Sequence, residues 1–143
     1  MKEYTIAFDF DGTITLISDY PNIGTIRPGI VECINKLYDE GFEIIIWTCR
    51  HPHGDNETNT AFYAIIDFLT VNKIKYHQIN KNSIPLKANP GPKIYADLYV
   101  DDKSLFWDNS ITGDKLYVQI KNYFNAYGES IKKSTIKYSE YVK

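Results

Sequence analysis

Short apolar runs alternate along this chain with longer segments in which apolar residues recur every three or four positions. The runs cover residues 4–8, 42–47, 76–79 and 98–100, and their β-branched and aromatic residues are typical of buried strands. Helical spacing predicts three helices, whose apolar positions are Ile30, Ile34, Leu37 and Tyr38, then Phe62, Ile65, Ile66 and Leu69, and finally Leu116, Ile120, Phe124 and Tyr127. Strands that alternate with helices predict a parallel sheet covered on both faces, which is a three-layer α/β/α, Rossmann-like fold.

Turn residues mark the ends of these elements. Pro28 suits the first turn of the first helix, and Gly41 suits its end. Residues 14–26 carry several turn signals and predict a small flap over the end of the first strand. The last part of the chain is polar and lysine-rich without a clear apolar face. We therefore expect one domain over residues 1–127, followed by a frayed helix or a disordered tail over residues 128–143.

Composition and charge narrow the choice of function. At 143 residues the chain can bury one core, and hardly two. Its net charge of -2 argues against a general nucleic-acid or anionic-membrane binder, which would carry a basic excess. No apolar run is long enough to span a membrane, the first residues lack a signal-like region, and the spacing of Cys33 and Cys49 suggests no disulfide. We expect a cytoplasmic protein that does not bind membranes.

Two aspartates stand at the end of the first strand, where Asp9 and Asp11 flank Phe10. On an extended backbone, residues two apart point to the same side, so the two carboxylates face together. Gly12 then lets the chain turn sharply out of the strand. Like charges this close stay ionised together only when a cation or another positive group offsets them. The pair therefore indicates either a hard divalent metal or a shared proton.

Polar residues follow two further strands, because Thr48 ends the second apolar run and Asp101 and Asp102 end the last one. In a parallel sheet these ends lie on the same edge as Asp9 and Asp11. Carboxylates from two strands can bind Mg²⁺, and a hydroxyl from a third can bind an anion. A nearby lysine could balance the charge of a phosphate. This set of groups suits phosphoryl transfer.

With these motifs the sequence resembles the haloacid dehalogenase (HAD) superfamily, in which four short motifs in a fixed order contain the catalytic residues. The resemblance covers roughly residues 4–108. Its motifs are Asp9-Phe10-Asp11-Gly12-Thr13, then Ile44-Ile45-Ile46-Trp47-Thr48, then Lys93, and finally Val100-Asp101-Asp102. More narrowly, Pro21-Asn22-Ile23-Gly24 and Trp47-Thr48-Cys49-Arg50 resemble a group of small bacterial and phage members, from which no substrate carries over.

The resemblance implies a Mg²⁺-dependent phosphatase, a hydrolase that works through an aspartyl-phosphate. Asp9 would be the nucleophile, and Asp11 the general acid and then the general base. Mg²⁺ would be bound by side-chain oxygens of Asp9 and Asp101, by the backbone carbonyl of Asp11, and by Asp102 directly or through water.

The resemblance also implies that Thr48 and Lys93 hold the phosphate oxygens. Lys87 and Lys103 lie near Lys93 in the sequence, and they stay open as alternatives to it. Arg50 directly follows the phosphate-binding strand end in a chain with only one other arginine, so it is either a substrate contact or part of a surface salt bridge.

The short spacing between the motifs leaves no room for a cap domain. Only 34 residues lie between Thr13 and Thr48, and they already include a flap and a helix. We therefore expect an open site that is available to bulky substrates such as a phosphorylated protein, an oligonucleotide end or a glycan. The expected partner is a phosphorylated small molecule, a nucleotide or a nucleic-acid end, with nucleotides and polynucleotide ends favoured by analogy. Two alternatives stay open. One is a sugar-phosphate phosphatase whose lid comes from a partner subunit, and the other is a non-catalytic phosphate-binding regulator.

Overall fold

The computed structural model describes residues 4–52, 56–84 and 91–139, and it contains a four-stranded, all-parallel sheet. The strands are β1 (Thr5–Asp9), β2 (Glu43–Trp47), β3 (Gln78–Ile79) and β4 (Leu98–Val100), and their order across the sheet is β3-β2-β1-β4. The helices are α1 (Ile30–Asp39), α2 (Asn56–Val71) and α3 (Gly113–Ser139). The small α/β fold with a parallel sheet is therefore as predicted from the sequence.

Strand β1 lies in the middle of the sheet and determines where the polar strand ends meet. It pairs with β2 on one side and with β4 on the other, with Asp9 opposite Trp47 and Ala7 opposite Tyr99. Because all the strands are parallel, the residues that follow β1, β2 and β4 emerge at one edge of the sheet.

The two faces of the sheet are covered differently. One face carries Ile6 and Phe8 and forms the main core, to which each helix contributes buried residues, among them Ile34 from α1, Ile65 from α2 and Ile120 from α3. On the other face Ala7 and Ile45 are covered by Ile94 and Ala96, which precede β4. No helical residue in the described ranges belongs to this second cluster, so the three-layer arrangement is not confirmed.

Strand order accounts for this difference. The crossovers from β1 to β2 and from β2 to β3 run in one direction across the sheet, and right-handed connections then place α1 and α2 on the same face. The return from β3 to β4 runs in the opposite direction across the sheet, and its described residues Ile94 and Ala96 lie on the other face. Its described residues after the gap contain no helix before β4.

The last helix continues through the domain boundary expected at residue 127. Helix α3 ends at Ser139. Beyond the expected boundary, the Gly128 carbonyl accepts a hydrogen bond from the Tyr4 hydroxyl at 3.2 Å, and Ile131 packs against the main core. The first turn of the expected tail is therefore part of the folded domain. No helix among the described residues has the length and apolar character needed to cross a membrane.

Residues that follow β1 form a wide turn and then a flap. The turn, Phe10–Ile14, is closed by a 3.2 Å hydrogen bond from the Thr15 backbone N–H to the Phe10 carbonyl. The flap, defined here as residues 15–26, leaves the sheet and returns antiparallel to itself, with Thr15 bridged to Ile26. It brings the chain back to α1 directly beside the edge where the strand ends meet.

Candidate active site

Three carboxylates gather where β1 and β4 end. Asp9 is the last residue of β1, and Asp101 and Asp102 directly follow β4. One oxygen from each of these three side chains lies within 4.8 Å of the other two. The structure thus brings together carboxylates that are more than 90 residues apart in sequence, as the parallel strand order predicts.

The Thr13 hydroxyl links the two strand ends. It donates a hydrogen bond to Asp9 Oδ2 at 3.0 Å and accepts one from the Asp102 backbone N–H at 2.9 Å. Gly12 makes this approach possible, since it has a φ of 85° and a Cβ in its place would lie 2.4 Å from Asp102 Oδ2. The glycine and threonine that follow Asp11 therefore shape the carboxylate group.

Arg27 binds the wide turn Phe10–Ile14 through hydrogen bonds to its backbone carbonyls. Its guanidinium is buried and donates hydrogen bonds to the backbone carbonyls of Thr13 (2.7 Å), Gly12 (2.8 Å), Asn109 (2.8 Å) and Ile111 (2.9 Å). Burial lowers the pKa of Arg27 from its ordinary value, an effect opposed by the nearby acidic side chains. The arginine thereby joins the turn after β1 to the loop that precedes α3. Sequence reasoning gave it no role, and its only signal was the scarcity of arginine.

Asp9 lies in an environment that disfavours its charge. Burial is the largest cause and raises its pKa to about 8, with further contributions from a hydrogen bond shared with Asp102 and from the charge of Asp101. The bond from Thr13 opposes the shift. Three acidic side chains with oxygen donors at this spacing fit a hard divalent cation such as Mg²⁺, which prefers carboxylate oxygens and would offset the repulsion.

The Asp11 side chain does not belong to this group of three. Both of its oxygens are held by Arg50, which donates from Nε to Oδ2 at 2.8 Å and from Nη2 to Oδ1 at 2.7 Å. The pairing is bidentate, the geometry in which a guanidinium binds a carboxylate most specifically. The metal contact expected of Asp11 involves its backbone carbonyl, and this contact stays a prediction.

Arg50 is one of the most buried polar residues of the protein, with 3% of its surface exposed. In addition to Asp11, its guanidinium binds the backbone carbonyls of Pro21, Asn22 and Ala61. Of the two roles expected from the sequence, the ion pair is present, but the arginine lies in the interior and not at the surface. A contact between Arg50 and a substrate stays a prediction.

Thr48 is held at the end of β2 by a small network of hydrogen bonds between backbone and side-chain groups. Its N–H donates to Asn80 Oδ1 at 2.8 Å, its hydroxyl accepts from the Arg50 N–H at 3.1 Å, and Asn80 Nδ2 donates to the Arg50 carbonyl at 3.2 Å. Asn80 directly follows β3 and has a φ of 56°. Sequence reasoning missed it, although its position after a third apolar run next to the site was the available signal.

The predicted phosphate-binding lysine has three candidates, Lys93, Lys103 and Lys87. Lys93 is exposed, and its Nζ lies 4.8 Å from the centre of the Tyr99 ring. The alternative Lys103 has its Nζ 3.7 Å from Asp102 Oδ2, and the alternative Lys87 lies outside the described residues. The assignment of the lysine therefore stays a prediction.

A cavity of about 540 Å³ opens beside the carboxylates. Asp9 and Asp101 form part of its wall together with Thr48, Trp47 and His51. The cavity lies within the range of pockets that hold small molecules or one end of a larger ligand. His53, the other histidine of the same loop, lies outside the described residues.

Comparisons with known proteins bear on the fold alone. No protein-family model matches the chain, and no curated protein matches it. A solved structure of a conserved protein coded by a locus from Bacteroides thetaiotaomicron is similar to it, with a TM-score of 0.69 and 28% sequence identity. The similarity covers 85% of this chain and 92% of that chain. It supports the α/β architecture over most of both molecules.

Proposed function

We propose that this protein is a Mg²⁺-dependent phosphoric monoester hydrolase of the HAD superfamily that works through an aspartyl-phosphate. The observation that carries the proposal is the group formed by Asp9, Asp101 and Asp102, whose oxygens lie within 4.8 Å of one another. Two of these carboxylates and Thr48 line the same cavity. This combination of a carboxylate nucleophile, further acidic ligands and a neutral anion-binding hydroxyl is what phosphoryl transfer requires.

The oxygens of Asp9, Asp101 and Asp102 would hold the metal. When bound, Mg²⁺ supplies positive charge that offsets the carboxylates and polarises the phosphoryl oxygens. Thr13 keeps Asp9 and the backbone of Asp102 at a fixed separation. Arg27 fixes the turn that contains Thr13 by donating a hydrogen bond to the Thr13 carbonyl. The chain therefore provides a preorganised site, which reduces the reorganisation needed during the reaction.

In the first step, a carboxylate oxygen of Asp9 attacks phosphorus and the bond from phosphorus to the leaving oxygen breaks. For this step Asp11 must be protonated and have one oxygen released from its pair with Arg50, and it then gives the proton to that leaving oxygen. In the second step, a water oxygen attacks phosphorus and the bond from phosphorus to Asp9 breaks. Asp11 takes the proton of the water, which restores both carboxyl groups. Thr48 and a lysine, for which Lys93 is the first assignment, hold the phosphoryl oxygens.

Nucleotides and polynucleotide ends are the substrate class that we favour. Trp47 lies opposite Asp9 in the sheet and forms part of the cavity wall together with His51. Flat aromatic side chains are surfaces on which a base stacks. We also propose that the protein is cytoplasmic and that it has the three-layer architecture of the superfamily without a cap domain.

The test is an assay of phosphate release from a panel of nucleotides, 3′- and 5′-phosphorylated oligonucleotides and sugar phosphates, with Mg²⁺ and with a chelator. We expect one class to be hydrolysed only with Mg²⁺, with activity lost in Asp9→Asn. Asp67→Asn is the matched control, because Asp67 is exposed on α2. Folded protein that binds phosphate and hydrolyses nothing in the panel would favour the regulatory alternative. Activity that survives in Asp9→Asn would contradict the proposed nucleophile.

A further inference from the structure

Arg50 distributes its hydrogen bonds between the Asp11 side chain and the flap. A guanidinium has five N–H donors. Two of them bind the Asp11 carboxylate, and two others bind the flap carbonyls of Pro21 (2.9 Å) and Asn22 (3.1 Å). The fifth binds the Ala61 carbonyl of α2 at 3.3 Å. Every donor of this buried side chain is therefore used.

Tyr20 adds a further contact from the flap, because the Arg50 guanidinium carbon lies 5.1 Å from the centre of its ring. The flap itself is held together by backbone bonds, which include one from the Leu16 N–H to the Thr25 carbonyl at 2.7 Å. Within the described part of the chain, no hydrogen bond joins Asp11 to a flap residue directly. The connection between them passes through Arg50.

We propose that Arg50 is a positioning residue that couples the seating of the flap to the orientation of Asp11. This inference rests on the proposed function, since it concerns the residue assigned as acid and base. A donor left unpaired in the interior is costly, so the guanidinium keeps its position only while its flap carbonyls and Asp11 are both in place. If the flap shifts, the fork that holds Asp11 shifts with it. Arg50, which follows β2, thus positions the carboxyl group of Asp11, which follows β1 and must meet the leaving oxygen.

Two other roles for Arg50 predict different results. If Arg50 binds the phosphoryl group, its replacement should affect all phosphate esters equally and mainly through KM. If Arg50 only stabilises the fold, its replacement should lower Tm and reduce the turnover of every substrate by the same factor. A positioning residue for the acid affects mainly those substrates whose leaving group needs a proton.

The first experiment compares Arg50→Lys with the wild-type protein on an aryl phosphate and an alkyl phosphate. Lysine keeps the charge and loses the planar fork. We expect kcat for the alkyl phosphate to fall at least ~10-fold further than kcat for the aryl phosphate, within the range of general acid catalysis, with KM little changed. Equal losses of kcat, or a rise in KM shared by both substrates, would overturn the positioning role.

The second experiment needs no substrate and so remains readable if the proposed function fails. Hydrogen exchange of the flap is measured in Asp11→Asn, with Asp67→Asn as the control. Asp11 is 42% exposed on its side chain, so this variant is compatible with an intact core. We expect the Leu16 amide to exchange about 10-fold faster in Asp11→Asn, the scale set by losing a charge-assisted hydrogen bond, while the Ile74 amide beyond α2 is unchanged.

The two experiments separate the two proposals. Unchanged protection of Leu16 in Asp11→Asn would show that Asp11 and the flap are not coupled, whatever the protein hydrolyses. Faster exchange of Leu16 in a protein that hydrolyses no phosphate ester would support the coupling and contradict the phosphatase.

Discussion

The Asp102 backbone N–H donates a hydrogen bond to the Thr13 hydroxyl at 2.9 Å, although the two residues are 89 positions apart in the chain. The same hydroxyl donates to Asp9. One oxygen atom thus connects the end of β1 to the end of β4, the two strand ends that carry the three carboxylates. Thr13 is fully buried, so its hydroxyl makes these bonds out of contact with solvent.

We expect Thr13→Val to weaken Mg²⁺ binding strongly and Thr13→Ser to preserve it. Valine has a similar shape and no hydroxyl, so the Asp102 N–H and Asp9 both lose a partner, at a cost of about 1–3 kcal/mol for each buried group left unpaired. Serine loses only a methyl group. Titration calorimetry with Mg²⁺ measures the difference. Equal affinities in the two variants would mean that the hydroxyl does not organise the carboxylates.

Gly12→Ala is expected to destabilise the protein more than Gly41→Ala does. Both glycines have a positive φ, 85° and 98°, so both substitutions carry a backbone strain of about 1–3 kcal/mol. An added Cβ at Gly41 meets nothing within 4 Å, whereas at Gly12 it lies 2.4 Å from Asp102 Oδ2. Urea unfolding of the two variants isolates the contribution of this contact. Similar midpoints would show that Asp102 moves aside freely.

Strand ends that converge on one edge could be predicted from the sequence because parallel order alone brings them together. Asp9, Asp101 and Thr48 each directly follow or end an apolar run, and the structure places all three around one cavity. The flap was also visible as a cluster of turn residues. These features depend on local patterns and on one topological rule.

The contacts of the two arginines could not be predicted in this way. Arg27 binds backbone carbonyls that lie 14 to 84 positions away, and Arg50 binds Asp11 across 39 positions. Hydrogen bonds of this kind depend on tertiary packing and leave no periodic signal in the sequence. The cover of the second face could not be predicted either, because the contacts of Ile94 and Ala96 with Ala7 and Ile45 depend on tertiary packing.

Mg²⁺ is expected to raise the Tm of the wild-type protein and of Asp67→Asn, and to leave that of Asp101→Asn unchanged. A ligand that binds only the folded state at about 100 times its Kd stabilises it by about 2.7 kcal/mol. Differential scanning calorimetry with and without a chelator measures the shift. The same increase in Asp101→Asn would locate the cation away from the carboxylate group.

The lysine assignment predicts that Lys93→Met weakens inhibition by inorganic phosphate more than Lys103→Met does. Lys93 is predicted to hold the phosphate oxygens, whereas Lys103 lies 3.7 Å from an Asp102 oxygen and has its charge partly matched there. Losing a direct contact to a phosphate dianion costs about 1.5–3 kcal/mol, or roughly 10- to 100-fold in affinity. Inhibition constants at a fixed Mg²⁺ concentration are the measurement. The reverse order would transfer the role to Lys103.

The two cysteines provide a probe of the cavity that requires no catalysis. Cys33 is buried, and burial raises its pKa to about 12, so at pH 8 only about one in 10⁴ of its side chains is the reactive thiolate. Cys49 is exposed and forms part of the cavity wall beside Thr48. We therefore expect a thiol reagent at pH 8 to modify Cys49 in the folded protein and Cys33 only after unfolding.

If Mg²⁺ and phosphate occupy the cavity next to Asp9, together they should slow the modification of Cys49 several-fold, because a bound anion near Thr48 limits access to the neighbouring thiol. Mass spectrometry of the labelled protein follows the rate, and Cys49→Ser shows the background from Cys33. Asp101→Asn separates the two ligands, since we expect it to lose the protection that depends on Mg²⁺. Labelling of Cys49 at an unchanged rate, at ligand concentrations that do raise Tm, would mean that the ligands bind elsewhere and that this cavity is not the phosphate site.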